Sequence, residues 1–490
     1  MPAWIESANP LLPWRAAQFA SLPTPDLIAP AALSWREVAG DWMAISATTG
    51  GWAMLSSDER ADLESFYGQR SDAVGSTLLV DGWRRGIIEI GNSTVVSDVD
   101  WAAAIDTSRE HYGLVIVLNA GCNLACTYCY LGHGAPARSN DLNRDLAKAA
   151  ILAALGRPEE LVIIDFGEFA AASSLFYELA TFAVEQGRTL GKKLRIAVQT
   201  NGTTLNDRMI DFLADRDAIL GISIDGPSRM HDLARPLRSG RGSHEGVTDA
   251  LRRCRAVGLD YHLIVTVGAH NVADPDAVIA ELESHNPKTF LCKPILAHGE
   301  AETAWMDVGA SAPAIASFLA RTIDHAATSA LAMLDQSATK FLLRMVGDAA
   351  GWRESCTSRD CSSGRNLHVL SARGELHACP RFVEPGQGTV IDPASLTRHI
   401  SGGQPLLSQS LRAAPQSCHG CPWRRSCGGG CTLSGQTGND GIVPLPDEHC
   451  ASYMAQHEAI VSRLIPALIS GSVALDGPLS GARVRADVAV

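Results

Sequence analysis

Between residues 111 and 300 six short apolar runs rich in β-branched residues recur, each followed by a helical pattern. They are LVIVL (114–118), LVIID (161–165), LRIAV (194–198), ILGISI (219–224), HLIVTV (262–267) and TFLCKPIL (289–296). Between them, Leu175, Phe176, Leu179, Phe182 and Ala183 fall on one helical face, as do Val247, Leu251 and Cys254. This alternation predicts an α/β fold with a parallel sheet and right-handed crossovers. Six units rather than eight predict an open, partial (β/α)6 barrel with its chemistry at the C-terminal strand ends.

Just past the first of those strands lies GCNLACTYCYLGHG (121–134), with Cys122, Cys126 and Cys129 inside eight residues. The chain has 13 cysteines, an odd number, in 490 residues, whereas disulfide scaffolds belong to short secreted chains. Its start, MPAWIESANPLLPW, lacks a secretory pattern, and no run approaches the roughly 18 apolar residues of a membrane helix. A net charge of −12 without a basic block argues against nucleic-acid or membrane-surface binding. A cytoplasmic protein is expected, and its clustered cysteines point to metal. Zinc takes four protein ligands, or three plus water. A four-iron cluster held by three thiolates keeps one iron open for another ligand.

Regular periodicity fades from about 350 to 450, where Cys356, Cys361, Cys379, Cys418, Cys421, Cys427, Cys431 and Cys450 accumulate. Such a loop-rich segment buries little core, and metal would supply the stability it lacks. The CxxC pair alone also fits structural zinc. Cys254 and Cys292 are expected in the core, and His133 in a loop. ASYMAQHEAIVSRLIPALI (451–469) reads as a closing helix. At the other end DWMAISA and GWAMLS read as a hairpin, followed by a helix with Ser56 and Glu59 as its capping box. STLLVDGWRRGIIEI reads as a short helix and strand.

A CxxxCxxC loop with an aromatic, ending the first strand of a six-fold β/α repeat, resembles the radical S-adenosylmethionine (SAM) enzymes. The resemblance extends to DFGEF (165–169), QTNGT (199–203), SIDGP (223–227), HDLAR (231–235) and GRGSHEGV (240–247). It implies a [4Fe–4S] cluster on Cys122, Cys126 and Cys129, whose open iron is chelated by SAM. It further implies SAM contacts from the Tyr128 backbone, Gly167, Glu168, Thr200, Asn201 and Ser223. Phe166 and Phe169 depart from the Gly and Pro usual in the second motif. The spacing Cys361-x12-Gly374-x4-Cys379, then Cys418-x2-Cys421-x5-Cys427-x3-Cys431 and Cys450, is that of the SPASM extension. By that resemblance Cys356, Cys361, Cys379 and Cys431 would hold auxiliary cluster I, and Cys418, Cys421, Cys427 and Cys450 auxiliary cluster II. Three [4Fe–4S] clusters and SAM are therefore expected. The expected domains are a small α+β unit (1–110), the radical SAM barrel (111–345), the SPASM segment (346–455) and a closing helix and tail (456–490).

The resemblance implies a peptide maturase carrying out a net two-electron oxidation, forming a C–C, C–S or C–O bond in a ribosomally made peptide. The expected partners are that precursor peptide and an electron donor such as flavodoxin or ferredoxin. The N-terminal unit resembles small leader-peptide recognition domains. Sulfatase-maturing relatives carry Asp after the cysteine matching Cys379, and Gln at the position of Asp165. Pro380 and Asp165 stand there instead, which argues against formylglycine formation. Asp165 is the candidate for substrate contact or proton transfer, and Asp225 reads as structural. A small-molecule dehydrogenase, or a SAM-binding scaffold without turnover, are the alternatives.

Overall fold

A computed structural model describes residues 28–29, 33–69, 76–90, 111–118, 121–130, 142–167, 174–329, 333–345, 363–380, 383, 388–390, 392–401, 418, 420–428, 430, 447–470, 472–475 and 484–485. The chain forms two compact units that interleave in sequence. One comprises Arg109–Arg321 and Ser362–Ser408, the other Met1–Ser108, Thr322–Cys361 and Gln409–Val490.

The first unit is built on strands β1 (His111–Val117), β2 (Leu161–Gly167), β3 (Lys193–Thr200), β4 (Ile219–Ser223), β5 (Tyr261–Val267) and β6 (Thr289–Pro294). They lie side by side in chain order and run parallel, matching all six runs read from the sequence. The cysteine-rich part of the sequence adds something its texture hides. Strand β7 (Leu367–Leu370) pairs parallel to β1, and β8 (Glu375–His377) and β9 (Thr389–Val390) continue antiparallel beyond it. Buried Tyr112 binds His368 there through its hydroxyl (3.0 Å to Nδ1), under the Arg157 guanidinium at 4.9 Å. That guanidinium pairs with Glu159 and donates to the Ile400 carbonyl at 2.9 Å.

The two faces of β2 differ. Val162, Ile164 and Phe166 are fully buried, with Phe166 edge-on to Phe176 of helix Ser174–Thr189 at 5.1 Å. Ile163, Asp165 and Gly167 face the opposite way and are only half-buried. Asp165 lies in register with Val115 of β1 and Ala197 of β3. Lys293 of β6 acts electrostatically on Asp165, although three strands stand between them. Flat strands would keep them about 19 Å apart. The sheet is therefore curled into a partial barrel with its outer face covered by helices.

The second unit holds an antiparallel sheet of Leu33–Val38, Asp41–Ser46 and Trp52–Leu55, the hairpin plus one strand the sequence did not reveal. Helix Ser57–Gln69 opens on the expected capping box: Ser56 N–H donates to Glu59 Oε2 (2.8 Å) and Glu59 N–H to Ser56 Oγ (3.2 Å). With helix Ser76–Arg85 it encloses a core of Ala44, Leu55, Leu63, Phe66, Trp83 and Ile87. The closing helix Asp447–Ala459 widens into a π-turn at Ile460–Leu464 and ends at Ile469. Its Glu458 takes a two-pronged bond from Arg36 at 2.6 and 2.7 Å. Among the described residues no helix is long and apolar enough to cross a membrane.

Candidate active site

The loop after β1 is tied down by its backbone. Ala125 N–H donates to Pro236 O (2.8 Å), Thr127 N–H to Ala234 O (3.0 Å), and Arg238 N–H to Asn123 O (3.0 Å). Arg238 Nε binds the Cys122 carbonyl at 2.7 Å. Glu300 N–H donates to Cys129 O at 2.9 Å. The residue before it, Gly299 at φ +63°, cannot carry a side chain, since a Cβ would lie 2.4 Å from Cys129 O.

Cys122, Cys126 and Cys129 are half-buried thiols, not disulfides. Leu124 N–H and Asn201 Nδ2 each approach Cys122 Sγ at 3.5 Å. Burial pushes the Cys126 thiol up to about 12; Arg235 opposes that rise, while Cys129, Asp225 and Cys122 reinforce it. The three sulfurs thus share one electrostatic neighbourhood. Thiols in such a setting ionise when they ligate a cation, and N–H donors aimed at sulfur suit a cluster-bound thiolate. This donor set fits an iron–sulfur cluster. Among the described residues no three His, Cys, Asp or Glu side chains gather closely enough for a single metal ion.

Beneath the loop, Asp225 is wholly buried and gathers a network. It accepts from the Tyr128 hydroxyl, from Arg235 Nε (2.9 Å) and from Thr266 N–H (2.9 Å). His270 Nε2 lies 3.3 Å from its Oδ2 and stacks on Tyr128 with centroids 5.7 Å apart. Burial would raise the Asp225 pKa, but Arg235 and His270 hold it far below the usual carboxylate range. Asp225 N–H donates to His231 Nδ1 at 3.2 Å, so the ring proton sits on Nε2 and points to Ser243 Oγ at 2.9 Å. Burial lowers the His231 pKa to about 4, so the ring is neutral. Asp232 accepts from Ser243 and His244 N–H (2.7 and 2.8 Å), and a Cβ on Gly242 would strike its carboxylate at 2.4 Å. HDLAR and GRGSHEGV are thus two halves of one clamp.

Thr200, Asn201 and Ser223 are buried at the ends of β3 and β4. Asn201 also donates to Asn123 Oδ1 (3.1 Å), joining QTNGT to the thiol loop. Phe166 points to the helix side, away from the face Gly167 presents, so its departure from Gly leaves that face open. Asp165 has a buried Oδ1 with no hydrogen-bond partner. Burial raises its pKa to about 6, partly offset by Lys293. Cys254 and Cys292 are buried, as expected of core residues.

Cys379 is buried after β8. In the second unit Cys418, Cys421, Cys427 and Cys450 are half-buried thiols. Burial raises the Cys421 pKa, with Cys450 and Cys418 adding to it, so at least these three are neighbours. Cys356, Cys361, Cys431, Glu168, Phe169 and His133 lie outside the described residues. Arg235, His270, Lys293 and Gly299 escaped the sequence reading. Only Arg235, the last residue of HDLAR, carried a signal.

A curled sheet of six parallel strands with three thiols on the loop after the first is consistent with the class of enzymes that use SAM with an iron–sulfur cluster. The sequence profile of the Radical SAM superfamily matches residues 116–282, so the chain carries a radical SAM domain. Members of that superfamily work with a [4Fe–4S] cluster and SAM. The chain is 23% identical over 361 residues to a serine-type anaerobic sulfatase-maturating enzyme of Bacteroides thetaiotaomicron, covering 66% of this chain and 83% of that protein. It is 21% identical over 366 residues to a cysteine-type anaerobic sulfatase-maturating enzyme of Clostridium perfringens, covering 72% of this chain and 96% of that one. The fold matches the solved structure "Native anSMEcpe with bound AdoMet and Kp18Cys peptide" with a TM-score of 0.62 at 19% identity. That match covers 74% of this chain and 98% of the other.

Proposed function

We propose that this radical SAM enzyme is a peptide maturase that oxidises a ribosomally made peptide by two electrons and closes a C–C, C–S or C–O bond. The observation that carries the reading is the unpartnered carboxylate of Asp165 on the inner face of the barrel, two residues before the end of β2. Cys122, Cys126 and Cys129 would hold the cluster that binds SAM. Tyr128, Gly167, Glu168, Thr200, Asn201 and Ser223 would line the SAM site. When bound, cluster and SAM supply a 5′-deoxyadenosyl radical that takes a hydrogen atom from the substrate. Asp165 would accept the proton given up by the second reacting group, and Lys293 would keep enough of it ionised to do so. The eight cysteines assigned to auxiliary clusters I and II would hold clusters able to accept the second electron, and the N-terminal unit would hold the leader by adding a strand to its sheet. An acidic one-electron donor of the flavodoxin or ferredoxin type would supply the first electron.

The names of the relatives favour a second reading, formylglycine formation on a sulfatase. Pro380 speaks against it, because proline cannot act as the base those enzymes place after the matching cysteine. One experiment separates the two. The chain is co-expressed with peptides from the short open reading frames beside it, and with a sulfatase peptide, and intact masses are measured. Loss of two hydrogens with a cross-linked fragmentation pattern supports the first reading. An aldehyde reactive toward hydrazide on the sulfatase peptide replaces it with the second. Iron on the order of twelve atoms per chain is expected for three four-iron clusters, against about four with zinc beside them.

A further inference from the structure

A buried ion pair stands beside the three-thiol loop. Arg235, 8% exposed, lies with its guanidinium 5.4 Å from the ring centroid of Tyr128, the residue between Thr127 and Cys129. The backbone beside it is fixed, because Thr127 N–H donates to the carbonyl of Ala234 at 3.0 Å. The guanidinium is held by Asp225 through Nε and reaches Thr266 Oγ1 at 3.2 Å. Asp225 is itself fixed by Thr266 N–H and the Tyr128 hydroxyl. Both charges persist, since arginine does not deprotonate in proteins and Asp225 is held far below its ordinary range.

We infer that Arg235 and Asp225 are positioning residues of opposite sign that together set the reduction potential of the cluster on Cys122, Cys126 and Cys129. Reduction adds one negative charge to a cluster. A fixed cation nearby stabilises the reduced form, and a fixed anion opposes it, both strongly where water is excluded. Arg235 thus eases entry of the electron, and Asp225 works against it. Asp225 then has two tasks: it keeps the buried guanidinium compensated, and it limits how far that guanidinium pulls the potential up. Tyr128 transmits the geometry, because its ring packs against both Arg235 and His270 while its hydroxyl is given to Asp225.

This inference rests on the proposed cluster ligation by the loop. A purely structural clamp would harm the site in the same direction whichever partner is changed, whereas electrostatic tuning has opposite signs. The test uses the full chain reconstituted anaerobically, with SAM as the probe. The cluster in question is identified by the electron paramagnetic resonance signal that changes on adding SAM, and is titrated potentiometrically. Arg235→Met is expected to lower its potential and Asp225→Asn to raise it. Arg235→Lys, which keeps the charge, is expected to stay near the parent, and signals indifferent to SAM are expected not to move. Should Arg235→Met hold no iron, Asp225→Asn decides alone: an upward shift supports the inference, and no shift or a downward one overturns it. Shifts of the same sign overturn it, as does loss of the SAM-responsive signal in both Asp225→Asn and Arg235→Lys. A parent chain with no SAM-responsive signal at all removes the cluster reading, and this inference with it.

Discussion

The two groups of thiols are held in different ways. In the barrel unit the loop of Cys122, Cys126 and Cys129 is stitched by four backbone hydrogen bonds, to Pro236, Ala234, Arg238 and Glu300. Side chains finish the job, with Asn201 and the Asp225 network beneath. In the second unit, the described contacts that tie the segment bearing Cys421 and Cys427 to its surroundings are made through side chains. Trp423 stacks on His457 at 5.0 Å, His457 Nε2 meets Ser426 Oγ at 2.9 Å, and Arg425 Nε reaches the Thr48 carbonyl at 3.0 Å. A backbone ladder keeps its shape without a ligand. A segment pinned at a few side chains depends far more on whatever its sulfurs bind.

The sharpest way to break this contrast is to remove one thiol from each group. Cys122→Ala is expected to reduce 5′-deoxyadenosine formation, with dithionite and SAM, to background while leaving thermal unfolding of the barrel nearly unchanged. Cys421→Ser is expected to do the reverse structurally. It should cost iron and open the segment around residues 418–430 to limited proteolysis, while the SAM-responsive signal stays. Equal protease resistance of the two variants would erase the distinction.

The same contrast decides what was legible in the sequence. Six strands could be read because each is a run of β-branched residues long enough to show its period, and Asp165 stood out at a strand end. Ser223 came instead from the resemblance carried by SIDGP. Strands β7 to β9 could not, because runs of two to four residues have no period of their own and acquire meaning only from a partner such as β1. Leu33–Val38 was hidden the same way: half-buried along most of its length, it shows little alternation. The cysteine spacings carried the thiol loop. The ion pair beneath it was half visible, since Arg235 and Asp225 sit in quoted motifs but only the fold makes them partners. His270 and Lys293 left no trace in the sequence, because their partners come from other strands and other loops.

In the second unit Trp423 is the test of side-chain pinning. It is 2% exposed, stacked on His457 and donating to Glu458 at 3.3 Å. Trp423→Ala is expected to destabilise that unit by about 3–5 kcal/mol in chemical denaturation. Burial holds His457 near pKa 4, so the folded unit keeps it neutral. Its contribution is present above the ordinary histidine pKa and is lost as pH falls toward about 4. Acid should therefore loosen this unit, and Trp423→Ala should move that loss to higher pH.

The barrel should answer pH the other way at Asp165. Its carboxyl is raised from 3.8 to about 6 by burial, against the pull of Lys293. The folded chain thus keeps a proton that the unfolded chain releases. The stability so gained is full below about pH 4 and is lost as pH rises through about 6. At pH 7.5 the ionised carboxylate costs the fold up to about 3 kcal/mol, which is the upper bound of the linkage. Asp165→Asn is expected to stabilise the barrel at pH 7.5 and to change nothing at pH 4, measured by denaturation at both. It should also abolish product formation while 5′-deoxyadenosine continues to appear. A variant that is no more stable at pH 7.5 than at pH 4 would leave Asp165 as an ordinary solvated carboxylate.

The smallest expected effect tests a feature read correctly from sequence alone. Ser56 and Glu59 cap helix Ser57–Gln69 reciprocally, and both groups are exposed, so no packing is disturbed by removing the hydroxyl. Ser56→Ala is expected to cost about 1 kcal/mol, the ordinary worth of such a cap. The proposed leader-binding sheet shares its core with that helix through Leu63 and Phe66, packed with Ala44 and Leu55. If that sheet binds a leader, the loss should appear twice, as lower stability and as weaker precursor binding, with 5′-deoxyadenosine formation in the absence of peptide unchanged. Weaker peptide-free SAM cleavage would instead mean that the N-terminal sheet serves the barrel rather than the substrate.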